Sequence, residues 1–445
     1  MTAASRLAAV KNAGFNQTLK HEAVGNGLFW LYMVFLLEFF LRFSARVPAI
    51  GMLRPTMLLT LLIAVALFTQ KTKLKGYGGD PITKALIALF IYLIVSLPLV
   101  EWPGSVIKNN LPNFIKAISF FFFTSLIIDS ERRLKIFLTL YVSCQVFRVL
   151  EPLYKHITTG YWGSATHLGG GEFAGRLAGS RYDVINPNEL GFVIVTAIPY
   201  LHYMIFSRGF KWKLLYFALM PCLLYALILT MSRGAFLALL VIAWMIFQKS
   251  KNKVVFAVVG IVVALCSPLA MNDVQKDRFF GMFSGGTSKE STRTLDGRIS
   301  LIFHEFELGF ERPIAGHGLG TTIEAKAQRW GVQQASHNMY GELIIEIGLI
   351  GAFFFIRFMA RVYQGLKYNQ LLMRDPERAD LPDFYKNLNT TLLCVFWMFC
   401  VYSLNYWGLS QYYWYLFGGL ILSFARLVQG YGLVEEKGSR KRSEK

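Results

Sequence analysis

Apolar residues along this chain gather into runs of roughly 14 to 20, near the ~20 that a helix needs to cross about 30 Å of hydrocarbon. Twelve runs can be counted, at 28–43, 55–68, 82–99, 114–128, 134–150, 188–206, 214–231, 234–247, 254–270, 341–358, 388–404 and 412–428. Segments buried in lipid must satisfy their backbone internally, so such runs are read as helices. The pattern predicts an all-α polytopic membrane protein with about twelve transmembrane helices. Arg6, Lys11 and Lys20 precede the first run as in a signal peptide, but eleven further runs follow, so an uncleaved first helix is expected.

The polar stretches between runs divide the chain. Residues 1–270 are expected to hold helices 1–9 with an outer loop at 151–187, and 341–428 to hold helices 10–12. One large loop, 271–340, lies between helices 9 and 10, too long for a plain connection and too short for an ordinary independent domain. Within it RISLIFHEFELG at 298–309 sets Ile299, Ile302, Phe303, Phe306 and Leu308 near helical spacing, predicting an amphipathic helix on the membrane interface. Gly169, Gly170 and Gly171 mark the 151–187 loop as flexible. Residues 429–445 read as a solvated basic tail near anionic lipid, with no nucleic-acid role.

Composition sharpens this picture. Of 445 residues, 54% are hydrophobic and 16% charged, which excludes an ordinary soluble domain. The five cysteines, Cys144, Cys222, Cys266, Cys394 and Cys400, all sit inside apolar runs, so they read as packing residues and no metal site is expected. The loops after helices 2, 4, 6 and 8 are rich in Lys and Arg, as are 361–386 and the tail, which is expected to put both termini in the cytoplasm and 271–340 on the outer side.

Several arginines break that rule. Arg42, Arg46 and Arg54 flank the first outer loop, Arg233 sits in TMSRG between two runs, and Arg148, Arg176, Arg181, Arg298 and Arg312 belong to the same face. Arginine binds phosphate bidentately and keeps its charge at membrane depth, so their convergence would suit a lipid-linked diphosphate. Snorkelling to headgroups, or pairing with Glu38 or Glu101, is the alternative. At 336–342 SHNMYGE runs from polar residues into an apolar segment. A histidine, unperturbed near pH 6.5, can act as a base there. Glu342 and Glu346, four apart on one helical face, could orient His337 or an arginine, or serve as buried pairing partners. His304 and His317 read as structural, and GHGLG at 316–320 as a tight turn. The aromatic residues of 406–415 read first as an interfacial belt, then as a sugar-stacking platform.

Four ordered motifs, LTMSRGAF at 229–236, DGRISL at 296–301, ERPIAGHGLG at 311–320 and SHNMYGELIIEIGLIG at 336–351, resemble the O-antigen ligase family of bacterial inner membranes. NPNELG at 186–191 also looks like a family segment; the family's tryptophan after the GR arginine is replaced by Ile302, Phe303 and His304. The resemblance implies a GT-C-like, metal-independent and cofactor-free glycosyltransferase, and a direct displacement would make it inverting. It would move a glycan from undecaprenyl diphosphate to the lipid A-core oligosaccharide at the periplasmic face. Carried onto this sequence, His337 is the catalytic base and Arg233, Arg298 and Arg181 bind the diphosphate. Asn338, Tyr340, Glu342, Arg42 and Arg46 would support them. Oligomeric state stays open. Competing readings are an O-antigen polymerase and a protein O-oligosaccharyltransferase using the same donor. In a different class stands a lipid-linked oligosaccharide transporter, which should place charges along a pathway through broken helices.

Overall fold

The computed structural model describes residues 23–74, 79–169, 172–280, 289–374, 381–406 and 408–443, with backbone alone at 73–74, 168–169, 172, 264, 270, 277–280, 289–299 and 432–443. Its principal helices are α1 (Asn26–Leu41), α2 (Pro55–Thr69), α3 (Pro81–Val95), α4 (Leu111–Ile127), α5 (Glu131–Thr159), α6 (Pro187–Tyr200), α7 (Phe210–Thr230), α8 (Arg233–Lys249) and α9 (Lys253–Cys266). They continue with α10 (Asp273–Phe280), α11 (Lys289–Glu311), α12 (Thr322–Trp330), α13 (Met339–Leu372), α14 (Asp383–Tyr402) and α15 (Tyr412–Ser443). The protein is a mostly helical, multi-pass membrane protein. Helix accounts for most of each predicted apolar run, and among the described residues five helical segments, Pro103–Ile127, Glu131–Thr159, Pro187–Phe206, Phe210–Thr230 and Met339–Leu372, are long and apolar enough to cross a bilayer.

Two expectations need correction. The stretch 151–187 is not simply a flexible loop: α5 runs on to Thr159, and β1 (Gly163–Gly169) pairs antiparallel with β2 (Glu172–Leu177). Gly170 and Gly171 lie outside the described residues. Among the described residues the fold is therefore helical with one hairpin. The first run also ends early, because Arg42 turns to φ 47° and caps α1 on the Glu38 carbonyl.

Local signals start the helices where the chain needs them. Asp80 accepts from Thr83 N at 2.8 Å at the head of α3, and Asn186 and Glu189 form a reciprocal capping box at the head of α6, with Pro187 at the first helical position. One end of the bundle is then tied together by Arg133. It donates to Asp129 at 2.6 Å, to the Val24 carbonyl at 2.7 Å and to Asn26 Oδ1 at 2.8 Å, fixing the start of α1 against α5. An aromatic core of Tyr32, Phe35, Phe120, Phe123 and Phe137 lies between α1, α4 and α5. Gly418 and Gly419 let α15 approach α4: a Cβ on Gly419 would stand 2.6 Å from the Phe121 carbonyl oxygen.

Near the other end, α13 is broken. Gly348 adopts φ 64° and ψ −174°, and the freed backbone groups meet the segment 311–320. His317 N donates to the Ile345 carbonyl at 2.7 Å, Gly318 N to Glu346 at 3.0 Å, and Leu349 N to Pro313 at 2.7 Å. Tyr92 Oη donates to the Ile314 and Ile347 carbonyls at 3.0 and 2.8 Å. The GHGLG stretch is the tight turn expected, with Gly316, Gly318 and Gly320 at φ 70°, 132° and 72°. The break is thus filled by protein backbone, the condition under which irregular chain is tolerated at membrane depth.

Gly348→Ala would place its Cβ 2.5 Å from the Ile314 carbonyl oxygen in a left-handed backbone. A loss of about 2 kcal/mol or more is expected, read as a clear fall in melting temperature in detergent. Gly27→Ala, with nothing within 4 Å, should leave the melting temperature unchanged.

Candidate functional site

The TMSRG reversal is built by three neighbours. Chain direction changes at Met231, φ 50°, and Ser232 caps α8 by accepting from Ala235 N at 3.4 Å. Arg233 is therefore the first residue of α8, and it is 7% exposed. A cation at a helix N-terminus runs against the helix dipole, so this position is not explained by helix stability. Arg176 on β2 braces the reversal: its Nε donates to the Thr230 carbonyl at 2.9 Å and its Nη2 to Asn188 Oδ1 at 3.0 Å. Gly191 of NPNELG supplies the close approach, since a Cβ there would stand 2.6 Å from the Ala235 Cβ.

The SHNMYGE segment docks on the turn that follows α14. Asn338 caps α13, its Oδ1 accepting from Tyr340 N at 3.1 Å. Met339 N donates to the Ser403 carbonyl at 2.9 Å, Tyr340 Oη to the Cys400 carbonyl at 3.0 Å, and Glu342 Oε2 accepts from Gly408 N at 2.7 Å and Leu409 N at 3.2 Å. Ser336 and Asn338 are buried, whereas His337 between them is exposed, its Nε2 3.2 Å from Gln334 Nε2.

That same turn reaches the arginine reversal. A Cβ on Gly234 would stand 2.9 Å from the Asn405 Cβ, Tyr402 Oη donates to the Asn188 carbonyl, and Tyr406 Oη donates to Glu189 Oε1 at 3.1 Å. The NPNELG, TMSRG and SHN segments therefore converge on the end of α14. Nothing in the sequence assigned that role to 403–409.

The remaining arginines divide. Arg46 forms a two-pronged pair with Glu151 at 2.9 and 2.6 Å, which pushes its pKa above the ordinary arginine value. Arg148 makes a like two-pronged pair with Asp183 at 2.6 and 3.1 Å, and Arg312 bonds Glu101 at 3.0 Å. Neither Glu151 nor Asp183 was anticipated as a partner. Arg42 lies at a cavity of about 230 Å³ that Arg148, Glu189, Tyr406, Gln411 and Tyr412 also line. Arg181 is exposed on the turn before NPNELG. Arg298 lies on α11 with its side chain outside the described residues.

Other expectations are revised by burial. Glu342 holds the backbone of 408–409, while Glu346 accepts from Gly320 N at 2.7 Å and Thr322 Oγ1 at 2.7 Å. Tyr406, Tyr413, Trp414 and Tyr415 are buried and do not form an interfacial belt, while Tyr406, half-buried Tyr412 and Tyr413 line the Arg42 cavity; Trp407 lies outside the described residues. His317 is structural as expected, stacked on Trp102 with Nδ1 3.2 Å from the Ile345 carbonyl. Along α11 the expected apolar face is only partly buried: Leu308 is covered, Phe303 is exposed, and the charged Glu305 is among the most buried.

Compared with known proteins, the chain matches no curated protein. The family model described as O-antigen ligase matches residues 215–356, a stretch that includes TMSRG, DGRISL, the GHGLG turn and SHNMYGE. The match, over about a third of the chain, supports membership of the O-antigen ligase family.

Proposed function

We propose that this protein is an O-antigen ligase, transferring a glycan from undecaprenyl diphosphate to lipid A-core oligosaccharide. The observation that carries this reading is the meeting of 230–234 with 336–342 at the end of α14, both segments lying inside the family-matched stretch. His337 is the one exposed side chain of its SHN segment, so it can meet a hydroxyl arriving from solvent.

In the proposed reaction the acceptor hydroxyl attacks the anomeric carbon as the bond to the diphosphate oxygen breaks. His337 takes the hydroxyl proton, and the departing diphosphate gains negative charge. Arg233, with Arg298 and Arg181, neutralises that charge, a role in which fixed cations lower the barrier without a metal ion. A single displacement inverts the anomeric configuration. Asn338, capping α13, and Tyr340, bonded to the Cys400 carbonyl, hold the base in place. Arg42, at its cavity, adds positive charge nearby, whereas Arg46 is committed to Glu151 and supports the scaffold. We further propose about twelve crossings of the bacterial inner membrane, both termini cytoplasmic and the site facing the periplasm.

Reconstitution of purified protein with lipid-linked donor and lipid A-core, in EDTA, tests the reading. Wild type should move glycan to the core, and His337→Ala should slow transfer by about 10²-fold or more while keeping its melting temperature. Lengthening of the donor glycan with the core untouched would make it a polymerase instead. No donor consumption would point to transport.

Arg233→Lys should lower kcat by roughly 10², because an ammonium cannot reproduce the bidentate fork. Wild-type turnover in this variant would remove Arg233 from the leaving-group role.

A further inference from the structure

Beneath the His337 segment lies a buried ion pair. Glu305 on α11 and Lys326 on α12 are each 1% exposed, with Lys326 Nζ 2.5 Å from Glu305 Oε1. Their remaining hydrogen bonds go to one place. Glu305 Oε2 accepts from Ser336 Oγ at 2.9 Å, and Lys326 Nζ reaches the Ala335 carbonyl at 3.5 Å. Ser336 Oγ in turn accepts from Asn338 N at 3.1 Å, so the residues on both sides of His337 are tied to the pair. Gly341 makes room for it: a Cβ there would stand 2.8 Å from Glu305 Oε2.

A buried pair is weak as a source of stability, because removing both ions from water costs about as much as their attraction returns, and apolar residues of similar volume often serve as well. Its value here must lie in what its spare hydrogen bonds hold. Glu305 also stands seven residues after Arg298 on α11, two turns and so the same face. One helix therefore carries both the carboxylate that anchors the His337 segment and an arginine assigned to the diphosphate.

We propose that Glu305 and Lys326 are positioning residues for glycan transfer: their ion pair clamps 335–338 and so fixes the backbone that carries His337. This rests on the reading of His337 as the base. The clamp would act on kcat, since it orients a proton acceptor and contributes nothing to gripping the donor.

The test uses the full chain with Ser336→Ala and the double variant Glu305→Gln/Lys326→Met. Glu305→Gln alone strands a buried ammonium and is expected to misfold, whereas the double variant is neutral and close in volume. In the double variant we expect a melting temperature near wild type, kcat lowered about 10-fold or more, and the donor KM within about 3-fold. Amide exchange at His337 and Asn338 should rise. Ser336→Ala should lower kcat about 3- to 10-fold with KM unchanged. Wild-type kcat in both folded variants, or unchanged exchange at His337, overturns the clamp. If wild type itself transfers no glycan, the base reading fails separately, and exchange alone decides whether the pair anchors this segment.

Discussion

Irregular backbone inside an apolar bundle has no water to turn to, so its amides must be satisfied by the protein, and here α13 satisfies them. Its two carboxylates, Glu342 and Glu346, accept from Gly408, Leu409 and Gly320. Its carbonyls at Ile345 and Glu346 take the amides of His317 and Gly318 across the break at Gly348. The turn after α14 and the GHGLG turn are thus both pinned to one helix, and the SHN segment is the start of that helix. Loss of either carboxylate would leave buried amides unpaired, each costing roughly 1–3 kcal/mol.

The arginines illustrate how positive charge is apportioned in this fold. Arg46, Arg148 and Arg312 are spent on carboxylates and brace the loops, while Arg176 is spent on a carbonyl and an amide oxygen. The β1–β2 hairpin thereby becomes a support for the TMSRG reversal. Arg233 differs in position, standing at the start of α8, where the helix dipole does not favour a cation.

Much was legible in the sequence because it is local. Long apolar runs without strand alternation predicted helices. The GHGLG stretch at 316–320 read as a tight turn, and its three glycines take positive φ. The motif segments stood out for the same reason: polar residues at the edge of apolar runs are costly enough to need a purpose.

What only the tertiary structure decided are pairings between distant segments. Glu342 meets Gly408 across 66 positions and Glu305 meets Ser336 across 31. No periodicity encodes such bonds, because they depend on which helices become neighbours. Glu305 even sits among residues whose spacing suggested an apolar face. Sequence alone determined that this chain is a helical membrane protein with polar motifs at helix ends. Which ends meet, and which charges are buried together, followed from packing, where a buried ion is tolerated only if a partner arrives from elsewhere in the fold.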